Sequence, residues 1–247
     1  MLVRLAEERA TGVLLRDYGT LYLVEGQVVH AESPAAPGLD VLLTAEGRLA
    51  RSDWDEAVER AGAQREVARF LVDQGRLGGG ELEICHLGAL FDAAFFALAP
   101  GSGPTRFRYG VAHWLGSVHP VPALTVEREA RRRRALLDSV WPYPAVDTAP
   151  VVPRTPAPGQ PVTRRQRTLL ELADGVRTPA GLAWALGRPA FNTLIEVRRL
   201  AAAGLVETPV EAVVPTAPEL PAWVSDFHGD PDIALLRRLR DALEASL

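Results

Sequence analysis

Seven prolines lie within the twenty residues from Pro142 to Pro161, and only two residues of that stretch are charged. Proline fixes the backbone φ angle and lacks an N–H donor, so such a segment cannot continue a regular helix or a sheet. The stretch is typical of a semi-extended linker. The chain has 247 residues, enough for two modest domains. We therefore predict domains at 1–141 and 163–247, joined by a proline-rich linker at 142–162.

The first region contains an alternation of apolar and polar residues from Gly12 to Ala31 around the turn sequence Val24-Glu25-Gly26-Gln27. This pattern predicts a β-hairpin with Gly26 at a positive φ. Further signals predict a small antiparallel sheet with a helical subdomain, an α+β fold. The predicted strands are 12–15, 20–24, 28–31 and 105–109, and the predicted helices include 39–45, 52–61, 65–74, 81–98 and 127–140.

The hairpin pattern resembles the PATAN-type domain of bacterial regulators. It consists of Gly12-Val13-Leu14 and then Thr20-Leu21-Tyr22-Leu23-Val24-Glu25-Gly26-Gln27-Val28-Val29-His30-Ala31. Arg106-Phe107-Arg108-Tyr109 is similar to the closing strand of that family, although Thr105 stands where glycine is usual. The resemblance covers roughly residues 8–115. It implies a signalling or protein-interaction module without catalytic residues. Independently of the resemblance, Tyr18 and Tyr22 are candidates for contact with a partner protein.

The chain shows no local motif for covalent chemistry, a metal or a cofactor. Its five histidines have no His-x-x-x-His spacing, and Cys85 is the only cysteine. It also lacks G-x-S-x-G, P-loop and G-x-G-x-x-G patterns. The middle helices resemble a module of type II secretion ATPases that binds cyclic di-GMP in some members, but the Arg-Leu-Gly of that motif is missing at 66–75. We expect no catalytic residue, metal or cofactor, while a site assembled from distant residues stays open.

The sequence signals for cellular location and the charge of each region limit the kinds of partner that we expect. A single cysteine suits a reducing cytoplasm. The N-terminus lacks the long apolar core of a signal peptide, and the apolar stretch at 87–100 contains Asp92 and is too short for a membrane span. Residues 1–100 carry 9 arginines and 16 acidic residues, whereas residues 163–207 carry 7 arginines and 4 acidic residues. We expect a cytoplasmic protein with no membrane partner, and phosphate contact only in the second region.

Four consecutive arginines, Arg131 to Arg134, circle a predicted helix and do not form a single stripe. Glu127, Glu129 and Asp138 are positioned to pair with some of them. We therefore interpret this run as the solvated face of a helix and not as a nucleic-acid patch.

The sequence of the second region, which starts at residue 163, predicts three short helices. Thr163 caps the first, Thr178-Pro179 opens the second, Gly187 ends it, and Pro189 opens the third. The order of helices, followed by a Gly204-Leu205-Val206 strand, resembles the winged-helix family over about 163–214, in which the third helix usually enters the major groove.

The outer face of the third helix carries some residues that suit DNA and others that suit a protein partner. The candidate DNA contacts are Arg188, Asn192 and Arg199, with Arg164 and Arg165 on the first helix. Phe191, Ile195 and Glu196 suit a protein partner better. A final apolar stripe that includes Leu236 and Leu243 predicts either docking on the winged-helix domain or a homodimer contact.

These patterns favour a non-enzymatic bacterial regulatory protein, with a winged-helix transcription regulator as the first hypothesis. In that hypothesis the N-terminal domain receives the signal of a partner protein. The alternative is a cytoplasmic signalling adaptor in which both domains bind proteins and neither binds DNA.

Overall fold

The structure is a computed structural model that describes residues 1–45, 47–101, 103–157 and 159–209. Within these ranges the fold is α+β, as predicted, with one small antiparallel sheet and several helices. The predicted apolar stripe with Leu236 and Leu243, and residues 210–214 of the region that resembles a winged helix, lie outside the described residues.

The sheet has five strands in the order β4-β1-β2-β3-β5, and every pairing is antiparallel. Four strands were predicted, whereas the two-residue edge strand β5 was not, because two residues give no periodicity. A register shift between Tyr22 and Leu23 lets β3 carry one extra residue. The strands are β1 Gly12–Arg16, β2 Gly19–Val24, β3 Gln27–Glu32, β4 Arg106–Tyr109 and β5 Val121–Pro122.

The turn between β2 and β3 explains the glycine in the hairpin pattern. Glu25 has φ 48° and Gly26 has φ 81°, so both central residues are left-handed, as in a type I′ turn. The Gly26 N–H donates to Ala10 O at 2.9 Å. A Cβ atom on Gly26 would lie 2.5 Å from the carbonyl oxygen of Ala6, so the position excludes a side chain for two separate reasons.

Helices cover the sheet and build the rest of the fold. The long helix α5 packs against β2 and β3, where Leu90, Ala94 and Ala97 meet Leu21 and Leu23. A second apolar cluster forms between α2, α3 and α4 around Leu43, Trp54 and Leu71. The helices are α1 Leu2–Glu7, α2 Leu39–Ala45, α3 Arg51–Ala61, α4 Val67–Asp73, α5 Gly79–Ala97, α6 Ala123–Val140, α7 Arg164–Leu172, α8 Pro179–Leu186 and α9 Ala190–Ala202.

The predicted start of α7 and both ends of α8 are confirmed by their caps, and α9 begins directly after Pro189. Thr163 accepts from the Gln166 N–H, and the Gln166 side chain accepts from the Thr163 N–H, which completes a capping box. The Thr178 side chain caps α8, Pro179 is its first residue, and Gly187 ends it at φ 59°. Leu194, Val197 and Leu200 of α9 are buried, as their spacing predicted.

Residues up to Pro209 form one compact unit. The proline-rich stretch runs along the last helices: Val151 N–H donates to Arg177 O at 2.9 Å, and Arg154 N–H donates to Leu205 O at 2.8 Å. Of the predicted strand Gly204-Leu205-Val206, the structure shows only an isolated antiparallel bridge between Val206 and Pro153. Whether the regions before and after this stretch fold separately stays a prediction.

The four consecutive arginines of α6 are engaged by neighbouring groups. Arg131 pairs with Glu127, and Arg132 pairs with Glu129, as the helix spacing predicted. Arg134 donates to the carbonyl oxygens of Phe95 and Leu98. Asp138, which we expected to pair within the run, instead contacts Arg198 of α9 at 3.2 Å. Of the described residues, no helix has both the length and the apolar character that a membrane span requires.

Candidate functional site

Three histidines that are far apart in the sequence meet beside the sheet. His30 lies on β3, His86 on α5, and His113 in the loop between β4 and β5. All three are buried, and His86 has no exposed surface. Glu32, two residues after His30, completes the group, and its side chain is 48% exposed. We call these four residues the histidine cluster.

The rings of the histidine cluster are arranged around a single carboxylate. His30 stacks on His113 with ring centroids 4.0 Å apart and planes inclined by 22°. His113 Nε2 lies 3.0 Å from Glu32 Oε1, and His30 Nε2 lies 3.9 Å from the same oxygen. On the other side of His30, its Nδ1 is 3.3 Å from His86 Nε2. Two imidazole nitrogens therefore converge on one carboxylate oxygen.

Glu32 is held in place through its other oxygen. The Tyr22 hydroxyl donates to Glu32 Oε2 at 3.2 Å, and the Thr20 hydroxyl donates to it at 3.4 Å. Hydrogen bonding from His113 lowers the pKa of Glu32, while burial and the nearby Glu32 charge raise the pKa of Tyr22. Glu32 is therefore an oriented carboxylate that stays ionised at neutral pH.

The protonation of the rings follows from their surroundings. The Leu115 N–H donates to His113 Nδ1 at 3.2 Å, so the proton of neutral His113 sits on Nε2 and points at Glu32. Burial, followed by His113 and His86, lowers the pKa of His30 well below its usual value. Burial also lowers the pKa of His86 to about 4. His30 and His86 are therefore neutral at pH 7. The backbone of Val29 lies near the His86 ring and partly opposes the lowering of its pKa, but among the described residues no partner meets hydrogen-bond geometry at His86 Nδ1.

The histidine cluster borders a cleft of about 770 Å³. Three tryptophans also line it: Trp54 of α3, Trp114 next to His113, and Trp184 of α8. The Trp184 indole N–H donates to Pro34 O at 3.2 Å, which ties α8 to the loop after β3. The cleft thus offers ionisable groups at one edge and large aromatic surface around it, an arrangement suited to binding a small ligand or an ion.

A second concave surface gathers most of the residues predicted to contact a partner. It is a groove of about 470 Å³ between α7 and α9, which we call the α7–α9 groove. The Arg165, Arg188 and Asn192 side chains are exposed there. Arg199 is also exposed but pairs with Glu196 at 2.7 Å. The residues predicted from the sequence that line this groove are Arg165, Arg188, Asn192, Ile195, Glu196 and Arg199.

The remaining predicted contact residues lie elsewhere. Arg164 is exposed at the start of α7, and Tyr18 is 53% exposed at the turn between β1 and β2. Tyr22 is half-buried against Glu32 and His113. Phe191, expected at a protein-binding surface, is only 5% exposed and packs edge-on against Phe95 of α5. Its side chain therefore belongs to the core and is not available to a partner.

Phe191 is buried because α9 is anchored on α5 and α6. Asp92 of α5, 1% exposed, accepts hydrogen bonds from the Ala190 N–H at 2.5 Å and the Phe191 N–H at 3.0 Å. Arg133 of α6 donates to the same carboxyl group at 3.2 Å. Burial raises the pKa of Asp92, whereas these three donors favour its ionised form. We call Asp92, Arg133 and the two amides the Asp92 centre.

Sequence reasoning missed the histidine cluster because it searched for ligands at short, regular spacings. His30, His86 and His113 are separated by tens of residues, so no local motif could reveal them. The one local signal was His30 itself, a titratable residue inside a strand with apolar residues on both faces. A comparison of the chain with protein-family models, curated proteins and solved structures finds no match.

Proposed function

We propose that this chain is a non-enzymatic regulatory protein in which α7, α8 and α9 form a winged-helix-like unit that binds DNA through the α7–α9 groove. The N-terminal sheet region, with its PATAN-type hairpin pattern, would receive a signal from a partner protein. The observation that carries the proposal is the gathering of Arg165, Arg188 and Asn192 in one exposed groove.

The charges of the groove favour a polyanion. In the part of the chain that the structure describes, no carboxylate forms an ion pair with Arg165 or Arg188. Such arginines can contact phosphate oxygens without first breaking an internal ion pair. Asn192 lines the same groove on the exposed side of α9, and an asparagine amide can pair with an adenine edge.

The cleft beside the sheet supports a binding role over a catalytic one. Its two hydroxyl groups, Ser33 and Thr20, are engaged away from the histidines. The Ser33 hydroxyl donates to Tyr18 O at 2.7 Å, and the Thr20 hydroxyl donates to Glu32. Neither hydroxyl is paired with an imidazole, so among the described residues the cleft holds no hydroxyl nucleophile activated by histidine.

The experiment that tests DNA binding compares two double variants with equal loss of charge. Arg165→Ala/Arg188→Ala removes two exposed arginines of the groove, and Arg106→Ala/Arg108→Ala removes two exposed arginines of β4. We expect the groove variant to weaken retardation of genomic fragments strongly. The slope of log K against log salt concentration should flatten by up to about 2 units in the groove variant. The β4 variant should bind DNA with the affinity and the salt slope of the parent protein.

The competing function is a signalling adaptor without DNA binding, and one observation favours it. Glu196 neutralises Arg199 in the same groove, and the half-buried Ile195 adds an apolar contact point. If the intact protein retards no genomic fragment at low salt, DNA binding is refuted. The α7–α9 groove then becomes the candidate contact for a protein.

A further inference from the structure

We propose that His30, Glu32 and His113 form a binding site for a divalent transition-metal ion at the edge of the cleft. The ligand atoms would be Nε2 of His30, Oε1 of Glu32 and Nε2 of His113. This site goes beyond the proposed DNA-binding function and does not depend on it.

The positions of the donor atoms carry the proposal. One ligand atom from each of the three side chains lies within 4.8 Å of the others. Bonds of about 2.0–2.2 Å from zinc to nitrogen and oxygen place neighbouring ligand atoms roughly 3–3.5 Å apart. His113 Nε2 and Glu32 Oε1 are already 3.0 Å apart, and His30 Nε2 is 3.9 Å from the same oxygen. The His30 ring must approach Glu32 and rotate away from its stacking on His113, because a bound ion lies in the plane of each ligating imidazole.

The neighbours of two ligands suit metal coordination. Metal-bound carboxylates are usually hydrogen-bonded through the free oxygen, and Tyr22 and Thr20 supply these bonds to Glu32. A metal-bound histidine usually donates its second N–H to an acceptor, and His86 Nε2 stands 3.3 Å from His30 Nδ1 in that role. Glu32 is thus already held through its free oxygen, and the second nitrogen of His30 already has a partner.

His113 must exchange a hydrogen bond when it binds the ion. Its Nδ1 accepts from the Leu115 N–H, whereas a neutral imidazole bound through Nε2 carries its proton on Nδ1. Metal binding therefore breaks this 3.2 Å hydrogen bond and displaces the backbone around Leu115. Trp114 lies between these two residues, and its indole is 4.8 Å from the His113 ring. The environment of Trp114 should change when the ion binds.

The donor set defines the class of ion. Two imidazole nitrogens and one carboxylate oxygen suit zinc, nickel, copper or iron better than calcium or magnesium, which prefer oxygen ligands. Three protein ligands leave at least one coordination position open, and here it faces the 770 Å³ cleft. A water molecule or a small ligand in the cleft can occupy that position.

Zinc titration of the full chain tests the site. Tag-free protein is stripped with a chelator and titrated with zinc chloride by calorimetry. We expect one equivalent to bind, with the affinity reduced at least about tenfold in Glu32→Gln. Glu32→Gln keeps the shape of the side chain, so a thermal melt without metal should match the parent. His119→Ala is the matched control, because His119 pairs with Glu83 on the surface and should contribute nothing.

Tryptophan fluorescence supplies a second measurement. Zinc should change the emission of the parent protein with the same midpoint as the calorimetric titration, and Trp114→Phe should remove most of that change while still binding one equivalent. Absence of zinc binding, binding that Glu32→Gln leaves intact, or a fluorescence change that persists in Trp114→Phe would overturn the proposed site.

Discussion

Helix α5 carries two buried polar centres that satisfy their hydrogen bonds in different ways. In the Asp92 centre, both carboxyl oxygens accept backbone N–H groups of α9 and one also accepts from Arg133. In the histidine cluster, six residues earlier on the same helix, His86 Nδ1 has no partner among the described residues. The Asp92 centre therefore holds elements together, whereas the histidine cluster also presents His30, Glu32 and His113 to the cleft.

The two centres also differ in their access to solvent. The Asp92 centre is closed, since Phe95, Leu137 and Leu194 pack around it together with Phe191. The histidine cluster opens onto the cleft through Glu32, which is half exposed. A ligand can therefore reach the histidine cluster without opening the core. The Asp92 centre, by contrast, contributes only to the stability of the fold.

The sharpest test of this comparison is Asp92→Ala. The change leaves two buried amides without their acceptor and, among the described residues, leaves Arg133 with only Glu129 as its carboxylate partner. We expect the free energy of unfolding to fall by about 3–5 kcal/mol, as when one partner of a buried ion pair is removed. Chemical denaturation of the full chain measures it. Asp73→Ala, on the exposed side of α4, is the control, and a loss below about 1 kcal/mol would show that Asp92 is not an anchor.

The histidine cluster depends on the register of β3, which the hairpin turn determines. Gly26→Val should lower the free energy of unfolding by about 1–3 kcal/mol, through its positive φ and its clash with Ala6. Gly47→Val separates the two causes, because Gly47 has φ 71° but open space around it. If both variants lost the same free energy of unfolding, the clash with Ala6 would make no contribution at Gly26. Thermal unfolding of both proteins is sufficient.

The smallest expected effect is on the stability of the fold at low pH. The Arg132 side chain, followed by Arg133, lowers the pKa of Glu129 to about 2, and Arg133 also contacts Asp92. A carboxylate with a lowered pKa stabilises the fold above its ordinary pKa near 4.5, and this contribution is lost as the pH falls from about 4.5 through 2.

Glu129→Gln should therefore flatten the decline of the melting temperature between pH 5 and about 2.5. Glu59→Gln, an exposed carboxylate of α3, is the charge-matched control. An unchanged slope in Glu129→Gln would mean that the arginines do not couple Glu129 to the fold.

Most elements followed from the sequence because their causes are local. Alternating side chains and a glycine turn predict a hairpin, and Thr163, Thr178 and Gly187 mark helix ends through hydrogen bonds or backbone angles within a few residues. The helical spacing also predicted correctly that Leu194 and Leu200 face inward. It placed Asn192 and Arg199 on the exposed side, where the structure has them.

The sites depended on contacts between distant residues, which no local pattern encodes. Phe191 was expected at the surface, but Asp92, 99 residues earlier, binds its amide and the α9 helix packs its ring into the core. Asp138 pairs with Arg198 across 60 residues and not with the nearby arginines. His30, His86 and His113 meet only because β3, α5 and the loop after β4 are brought together. Local backbone chemistry thus determined the elements, and tertiary packing determined which charges and rings share one site.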